Sequence, residues 1–467
     1  MSNAVLAYAS YLPDWRVSPR STGSASRVVA SFDEDATTMA VAATHTALSA
    51  AGRGVVSGGS VVLVTSTPPY LDKTNAVAVH AALSLDRTVA AYDAIGTART
   101  AMGAIRAATR GGPTVIAAAD VRVGRVGSAD ERRGSDAAAT VVIGRPAPEV
   151  PAIAEILTDA SLSEEFLDRW REPVVPYAAT WEERFGYERY APLIREAAGT
   201  ALDSAGLAEA DHVVLTCPNT AVAKRSHQLV KGTLSTSGSP IGFAGAGDPL
   251  LGLAAVLDTA GPGETILLIS AVDGVDVIVM RTTAALASRR QPIPVAHMVD
   301  KGGQEVPYTT YLSWRGFLDV EPPRRPEPER PAGPPSARSS QWKFGLQASR
   351  CTACRFVHAP PMRVCRSCGT TDEMEAVPMA SKRGRIATFT VDHLAYSPSP
   401  PVVDVVVDFD GGGRSTFEVA DARPELLAVG APVDMVFRTL LTAGGVHNYF
   451  WKARQLADSD ERTHDGQ

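Results

Sequence analysis

Residues 90–105 read AAYDAIGTARTAMGAI. An apolar run stops at Asp93, crosses Gly96 and Thr97, and becomes an alanine-rich helical pattern, so the stretch predicts a strand, a tight turn and a helix. Such a turn is a natural seat for a nucleophile, because a helix N-terminus stabilises an anion. This seat carries no Cys, Ser or His. Asp93 either caps the helix starting near Thr97 or ends the strand. Arg99 and Arg106 share one helix face, which either meets a ligand phosphate or stands in solvent.

Outward from this turn, apolar strands alternate with helices. SVVLVTST (60–67), TVIAAAD (114–120) and DAAATVVIG (136–144) read as strands, and NAVAVHAALSL (75–85) and 97–109 as helices. The order recurs with strands at 212–219, 264–271 and 275–282 and helices at 221–232 and 248–260. The first strand leads the next by 53 residues in one half (114 − 61) and by 52 in the other (265 − 213). Matched order and spacing indicate an internal duplication, with half-repeats at about 1–150 and 187–290, and buried strands interleaved with helices imply an α/β layered fold over residues 1–318. Asp273 and Asp276 flank Gly274 and read as a turn before the last strand.

Residues 319–340, DVEPPRRPEPERPAGPPSARSS, read as an extended Pro-rich linker. Beyond it, CTACRFVHAPPMRVCRSCG sets Cys351 with Cys354 and Cys365 with Cys368 in two C-x-x-C knuckles. Two knuckles complete a closed tetrahedral site, which points to structural zinc in a ribbon over 341–380. His358 lies between them as a surface residue. Five alternating strands follow (384–393, 401–411, 414–421, 432–440, 447–455) and suit a small five-stranded OB-type β-barrel over 381–458, with a polar tail at 459–467. Lys382, Arg383 and Arg385 form its basic cluster, opposed by Asp404, Asp408 and Asp410.

The 467 residues suit two to three domains at about 150 residues each. The net charge of −6 and the lack of an aromatic and basic stripe argue against a nucleic-acid partner. Tyr449, Phe450 and Trp451 are consecutive, so on a strand they alternate faces. No apolar run reaches about 18 residues and the start lacks a basic, then apolar, leader, so a cytoplasmic protein without a membrane partner is expected. Four of five cysteines fall within 351–368, which points to a metal and a reducing compartment rather than to disulfides.

Residues 1 to about 318 resemble the thiolase superfamily, in particular hydroxymethylglutaryl-CoA synthases and type III β-ketoacyl-acyl-carrier-protein synthases. The stretches that carry the likeness are YASYLPDWRV, VTSTPPYLDKTNA (64–76), the 90–105 turn, GSDAAATVVIG, LLGLAAVLDTAGPGETILLIS (250–270) and YTTYLSWRG (308–316). Residues 341–455 are similar to the family that joins a rubredoxin-like zinc ribbon to an OB fold and associates with such enzymes. The resemblance implies a duplicated α-β-α-β-α fold and a Cys, His and Asn that form and handle an acyl thioester. Here the nucleophile position falls on Ala98, the histidine position on Thr216, the asparagine position on Phe243, and the synthase glutamate position on Ser66. The implied reading is a catalytically degenerate protein that binds an acyl-CoA or acyl-carrier thioester, as a homodimer or as a hetero-oligomer with an active thiolase-type subunit. Arg99, Arg106, Lys382, Arg383 and Arg385 are its candidates for holding CoA. The alternative is an acyltransferase or condensing enzyme with displaced chemistry, through Cys217, through Thr97 or Thr100, or by direct transfer.

Overall fold

The computed structural model describes residues 3–18, 27–236, 241–321 and 325–456. The chain forms two compact units, one over residues 1–30, 35–79 and 85–311, the other over 312–467 together with the short segments 31–34 and 80–84. The break thus falls ahead of residue 318. Among the described residues no helix is long and apolar enough to cross a membrane.

Ten strands form the sheet of the first unit. They are β1 (Ala4–Tyr11), β2 (Ser60–Thr65), β3 (Ala90–Ile95), β4 (Thr114–Asp120), β5 (Ala137–Gly144), β6 (Ala154–Leu162), β7 (Ala210–Thr216), β8 (Gly232–Thr236), β9 (Thr265–Ala271) and β10 (Val275–Thr282). Their order is β3-β2-β4-β5-β1-β6-β10-β9-β7-β8. Read outward from the antiparallel β1–β6 junction, the two halves repeat each other. In each, two outer parallel pairings (β3–β2–β4 and β8–β7–β9) give way to antiparallel ones (β4–β5–β1 and β9–β10–β6). The duplication read from strand spacing is therefore a topological one.

Helix α1 (Ala36–Ala51) covers β1, β5 and β4. Helix α2 (Ala76–Ala82) follows β2, and α3 (Ala98–Arg110) packs against strands of both halves; α4 (Glu183–Ala205) covers β6, β10 and β9 of the second half, and α5 (Asp248–Leu257) pairs with α3. α3 turns Ala98, Ala101, Met102, Ile105 and Ala108 inward, the i, i+3, i+4 stripe of an amphipathic helix. α5 is apolar nearly all round, as a helix covered on all sides must be. Ala101, Met102, Ile105 and Ala108 share one core with Leu250, Leu253 and Leu257.

Three expectations need correction. The second half begins at β6, not near residue 187, because AEILTDASL is half-buried and carries no continuous apolar run. The helix expected over 221–232 is one turn at Thr220–Lys224, a 3₁₀ turn at Ser226–Gln228 and strand β8. The Pro-rich 319–340 segment holds short helices at Gly333–Arg338 and from Ser340, since Pro334 and Pro335 occupy first-turn positions that need no N–H. Its residues 322–324, like the polar tail at 459–467, lie outside the described residues.

The second unit holds the ribbon strands β11 (Gln347–Cys351), β12 (Val357–His358) and β13 (Met374–Pro378), in the order β12-β11-β13. His358 is buried on β12, not at the surface. Five further strands follow, β14 (Gly384–Asp392), β15 (Val402–Phe409), β16 (Arg414–Glu418), β17 (Pro432–Ala443) and β18 (Val446–Gln455). Their order is β16-β15-β14-β17-β18, and a parallel bridge from Val419 to Ala453, with Ala420 N–H on Ala453 O at 2.8 Å, closes the barrel.

Inside this unit two cations are fully buried. Arg438 reaches Glu34 and Asp421 at 3.0 Å and Asp33 at 3.6 Å. Lys452 reaches Asp33 at 2.8 Å and Glu418 at 2.5 Å and stands over the Phe32 ring. Burial alone would raise the Asp33 carboxyl, but Lys452 and Arg438 outweigh it and hold it below the usual carboxylate range.

Candidate functional site

The turn after β3 has the expected form. Thr97 is extended and makes no side-chain cap, and Ala98, buried, is the first residue of α3. Gly96 N–H donates to Thr65 O at 2.9 Å, which fixes the turn beside the end of β2. Asp93 does not cap this helix; its carboxylate accepts the N–H groups of Asn75 and Ala76, both at 2.7 Å, and so caps α2.

Beside it, Asp120 at the end of β4 organises the ends of neighbouring elements. Its fully buried carboxylate accepts Ser66 N–H at 2.6 Å, Ser66 Oγ at 2.7 Å, Thr65 Oγ1 at 2.9 Å and Ala246 N–H at 2.8 Å. Ser66 thus serves the scaffold through Asp120. Gly245 has φ +61, and a Cβ there would collide with Asp120 Oδ2. Thr216 ends β7, fully buried, with its hydroxyl on Ile269 O at 3.3 Å.

Phe243 lies on the loop before α5, tied by its N–H to Arg133 O at 3.0 Å and by its carbonyl to Ser135 N–H at 3.1 Å. With Pro218, Asn219 and Arg122 it lines a cavity of about 100 Å³. The structure therefore joins the Phe243 loop to the turn after Thr216, whereas Ala98, Ser66, Thr216 and Cys217 stand outside the cavity wall.

The cavity is charged. Arg169 meets Asp130 through two bonds of 2.8 and 2.5 Å, and although burial would raise the Asp130 carboxyl, Arg169 holds it below the usual range. Burial raises the Asp168 carboxyl, against the hydrogen bond from Asn219. Arg133 lies 3.9 Å from Glu183. Behind the wall, Asp248 at the start of α5 accepts Ala244 N–H at 2.8 Å through Oδ1; its buried Oδ2 has no partner among the described residues, and burial pushes the carboxyl up to about 7.

Cys217 is buried, and burial first, then Asp168 and Asp248, pushes its thiol far above the ordinary range. Such a thiol stays protonated, the opposite of an activated nucleophile. The arginine candidates on α3 are committed to the fold. Arg99 pairs with Asp276 at 2.9 Å, and Arg106 with Asp159 at 2.6 Å and Asp276 at 3.5 Å. Asp273 and Gly274, both with positive φ, make the expected turn, but Asp276 belongs to β10 and carries these pairs. On the barrel, Lys382 donates to Asp410 O at 3.4 Å and Arg385 to Gly430 O at 3.1 Å, while the Arg383 carbonyl accepts Asp410 N–H at 3.0 Å.

Cys351, Cys354, Cys365 and Cys368 converge, with all four Sγ atoms within 4.8 Å of one another. Thiolates about 2.3 Å from a tetrahedral ion stand about 3.8 Å apart. Cys351 and Cys368 are separated by 3.7 Å and Cys354 and Cys365 by 3.5 Å, so the cluster fits a metal ion. The two knuckles share one backbone design. Cys351 N–H donates to Phe356 O and Cys365 N–H to Thr370 O, both at 2.9 Å; Arg355 and Gly369, each left-handed, return their N–H to Cys351 O and Cys365 O.

The sequence reading missed Asp120, Arg122, Asp168 and Asp248. Lone charges at strand ends and loops carry no spacing signal, although the abrupt Asp after the apolar TVIAAA run is a trace of one.

Comparison with known proteins follows the same division. The family described as ChsH2, C-terminal OB-fold domain, matches residues 377–438. A hydroxymethylglutaryl-CoA synthase of Archaeoglobus fulgidus is 27% identical over 341 residues, covering 67% of this chain and 98% of that protein. A DUF35 domain-containing scaffold protein of Methanocaldococcus jannaschii is 29% identical over 126 residues, covering 26% of this chain and 89% of that protein. Among solved structures, an HMG-CoA synthase complexed with CoA superposes with a TM-score of 0.58 at 13% identity, over 69% of this chain and 92% of its own. The 3-oxoacyl-(acyl carrier protein) synthase III of Pseudomonas aeruginosa gives 0.52 at 18% identity, over 61% and 98%. The chain thus fuses a thiolase-like α/β domain to a C-terminal OB-fold domain.

Proposed function

We propose that this fusion protein binds an acyl-CoA or acyl-carrier thioester without forming a covalent intermediate, and assembles with an active thiolase- or synthase-type subunit in acyl-CoA, lipid or polyketide metabolism. The observation that carries the reading is Ala98, a buried methyl group on the first residue of α3, where the fold offers a helix N-terminus to a nucleophile. Thr216, spent on Ile269 O, and Phe243, an apolar ring, supply neither a general base nor a carbonyl-oriented amide. The similarity to hydroxymethylglutaryl-CoA synthases and to DUF35 scaffold proteins supports a thioester ligand and an assembly role together. Zinc is the ion we assign to the four cysteines; a closed all-thiolate site leaves no open position, so its role is structural. The Cys217 alternative is disfavoured by that thiol's burial and its raised pKa.

Incubation of the full chain with acetyl-CoA and longer acyl-CoAs, followed by intact mass, is expected to leave the protein mass unchanged. An acyl adduct on any residue of the thiolase-like unit would overturn the reading, and one abolished by Cys217→Ala would establish the alternative.

Assembly through the sheet edge belongs to the same reading. β3 is a terminal strand of the sheet, and Tyr92 and Ile95 on it are 59% and 50% exposed, an apolar edge that invites a second strand. Native mass spectrometry is expected to find a dimer, homomeric or with a thiolase-type subunit, and Tyr92→Lys with Ile95→Lys is expected to dissociate it. A wild-type monomer in the presence of such a subunit counts against the assembly role.

A further inference from the structure

Arg122 stands out in the cavity wall. Its position is built from three sides. Its backbone N–H donates to Asp136 Oδ1 at 2.5 Å, and its stem lies so close to Gly134 that a Cβ there would come within 3.3 Å of it. Its guanidinium lies over the Phe243 ring at 5.4 Å. The side chain is 13% exposed, yet among the described residues its guanidinium makes no hydrogen bond, and the one carboxylate within 4.0 Å of it, Asp120, is 3.9 Å away and already accepts from Thr65, Ser66 and Ala246.

A largely buried guanidinium with unused donors calls for a planar anion that accepts two of them at once. Neighbouring acids do not answer the call: Asp130 is spent on Arg169, Glu183 faces Arg133, and Asp168 takes the Asn219 amide. Burial, and then Arg169, disfavour the charge on Arg122 while Asp120 and Asp130 favour it; the guanidinium keeps its proton, and its donors stay open to a ligand. A cavity of about 100 Å³ has room for a carboxylate and its neighbouring methylene.

We propose that this cavity receives the terminal carboxylate of a dicarboxylic acyl thioester, held bidentately by Arg122 above the Phe243 ring. The site selects acyl groups that end in a carboxylate over apolar ones of equal length. This rests on the thioester-binding reading for the remainder of the ligand.

Calorimetric titration of the full chain with succinyl-CoA and butyryl-CoA, equal in length and differing in the end group, tests it. Succinyl-CoA is expected to bind about tenfold tighter, the discrimination a charge-assisted pair supplies. In Arg122→Met the preference is expected to vanish while butyryl-CoA affinity stays; in Arg122→Lys, which keeps the charge and the fold but not the fork, part of it is expected to remain. Equal binding by the wild type, or a preference that survives Arg122→Met, overturns the proposal. Free succinate separates the two readings. If neither acyl-CoA binds but succinate does, and Arg122→Met abolishes it, the carboxylate site stands and the thioester reading falls. If succinate also fails to bind, both fall.

Discussion

Removing the metal from the four-cysteine cluster is expected to unfold β11, β12 and β13. The ribbon strands are short, five, two and five residues, and the buried apolar residues among them are few: Ala348, Val357 and Val377. A core that small does not hold a sheet by itself, and a metal contributes about 10–16 kcal/mol of apparent binding free energy that appears as folding free energy. Hydrogen exchange after treatment with a strong chelator should show loss of amide protection across residues 347–378, restored by one equivalent of zinc per chain. Cys365→Ser, which removes a buried ligand, should do the same without chelator. Protection that persists in the metal-free protein would mean that the ribbon stands without an ion.

The second large effect concerns Arg438 in the barrel. Arg438→Met keeps the volume but withdraws the cation from Asp33, Glu34 and Asp421, all reached within 3.6 Å. Breaking a buried charge cluster by removing one member costs about 3–5 kcal/mol, since the remaining carboxylates are desolvated. The cost depends on pH with a definite sign. Asp33 is held below the usual carboxylate range in the folded chain, so its contribution is present above that range and fades as pH falls through its folded pKa. The difference between wild type and Arg438→Met is therefore expected to be largest near neutral pH and to shrink below about pH 4, as Asp33 protonates. Chemical unfolding followed through amide exchange in β17 and β18 reads it. An unchanged midpoint at neutral pH would show the cluster to be energetically silent.

What the sequence disclosed followed from periodicity and spacing. Strands β4, β5, β9 and β10 are buried on both faces and so carry long apolar runs. β6 is half-buried and was invisible, and α4, with Pro192 in its interior and charges along its length, gives no simple apolar stripe. The metal ligands were legible because two short-range spacings fix them, whereas the cavity is assembled from residues scattered between 122 and 243. Arg99 and Arg106 illustrate the reverse failure. Their helical spacing was read correctly, but their partners, Asp159 and Asp276, come from distant strands of the other half, and no local pattern announces such a pairing.

Asp120 and Gly245 have a consequence for how this chain can change over generations. The carboxylate occupies the volume a side chain at 245 would need, and the left-handed backbone there disfavours a side chain in any case. An ancestor could not acquire a side chain at 245 while keeping Asp120 in place. Nor could it shed Asp120 without orphaning the Ser66 and Ala246 amides. The two positions are inherited as one unit. Among descendants, substitutions at 120 and 245 should arrive together or not at all, a signature visible in paired variation and hidden in either column alone.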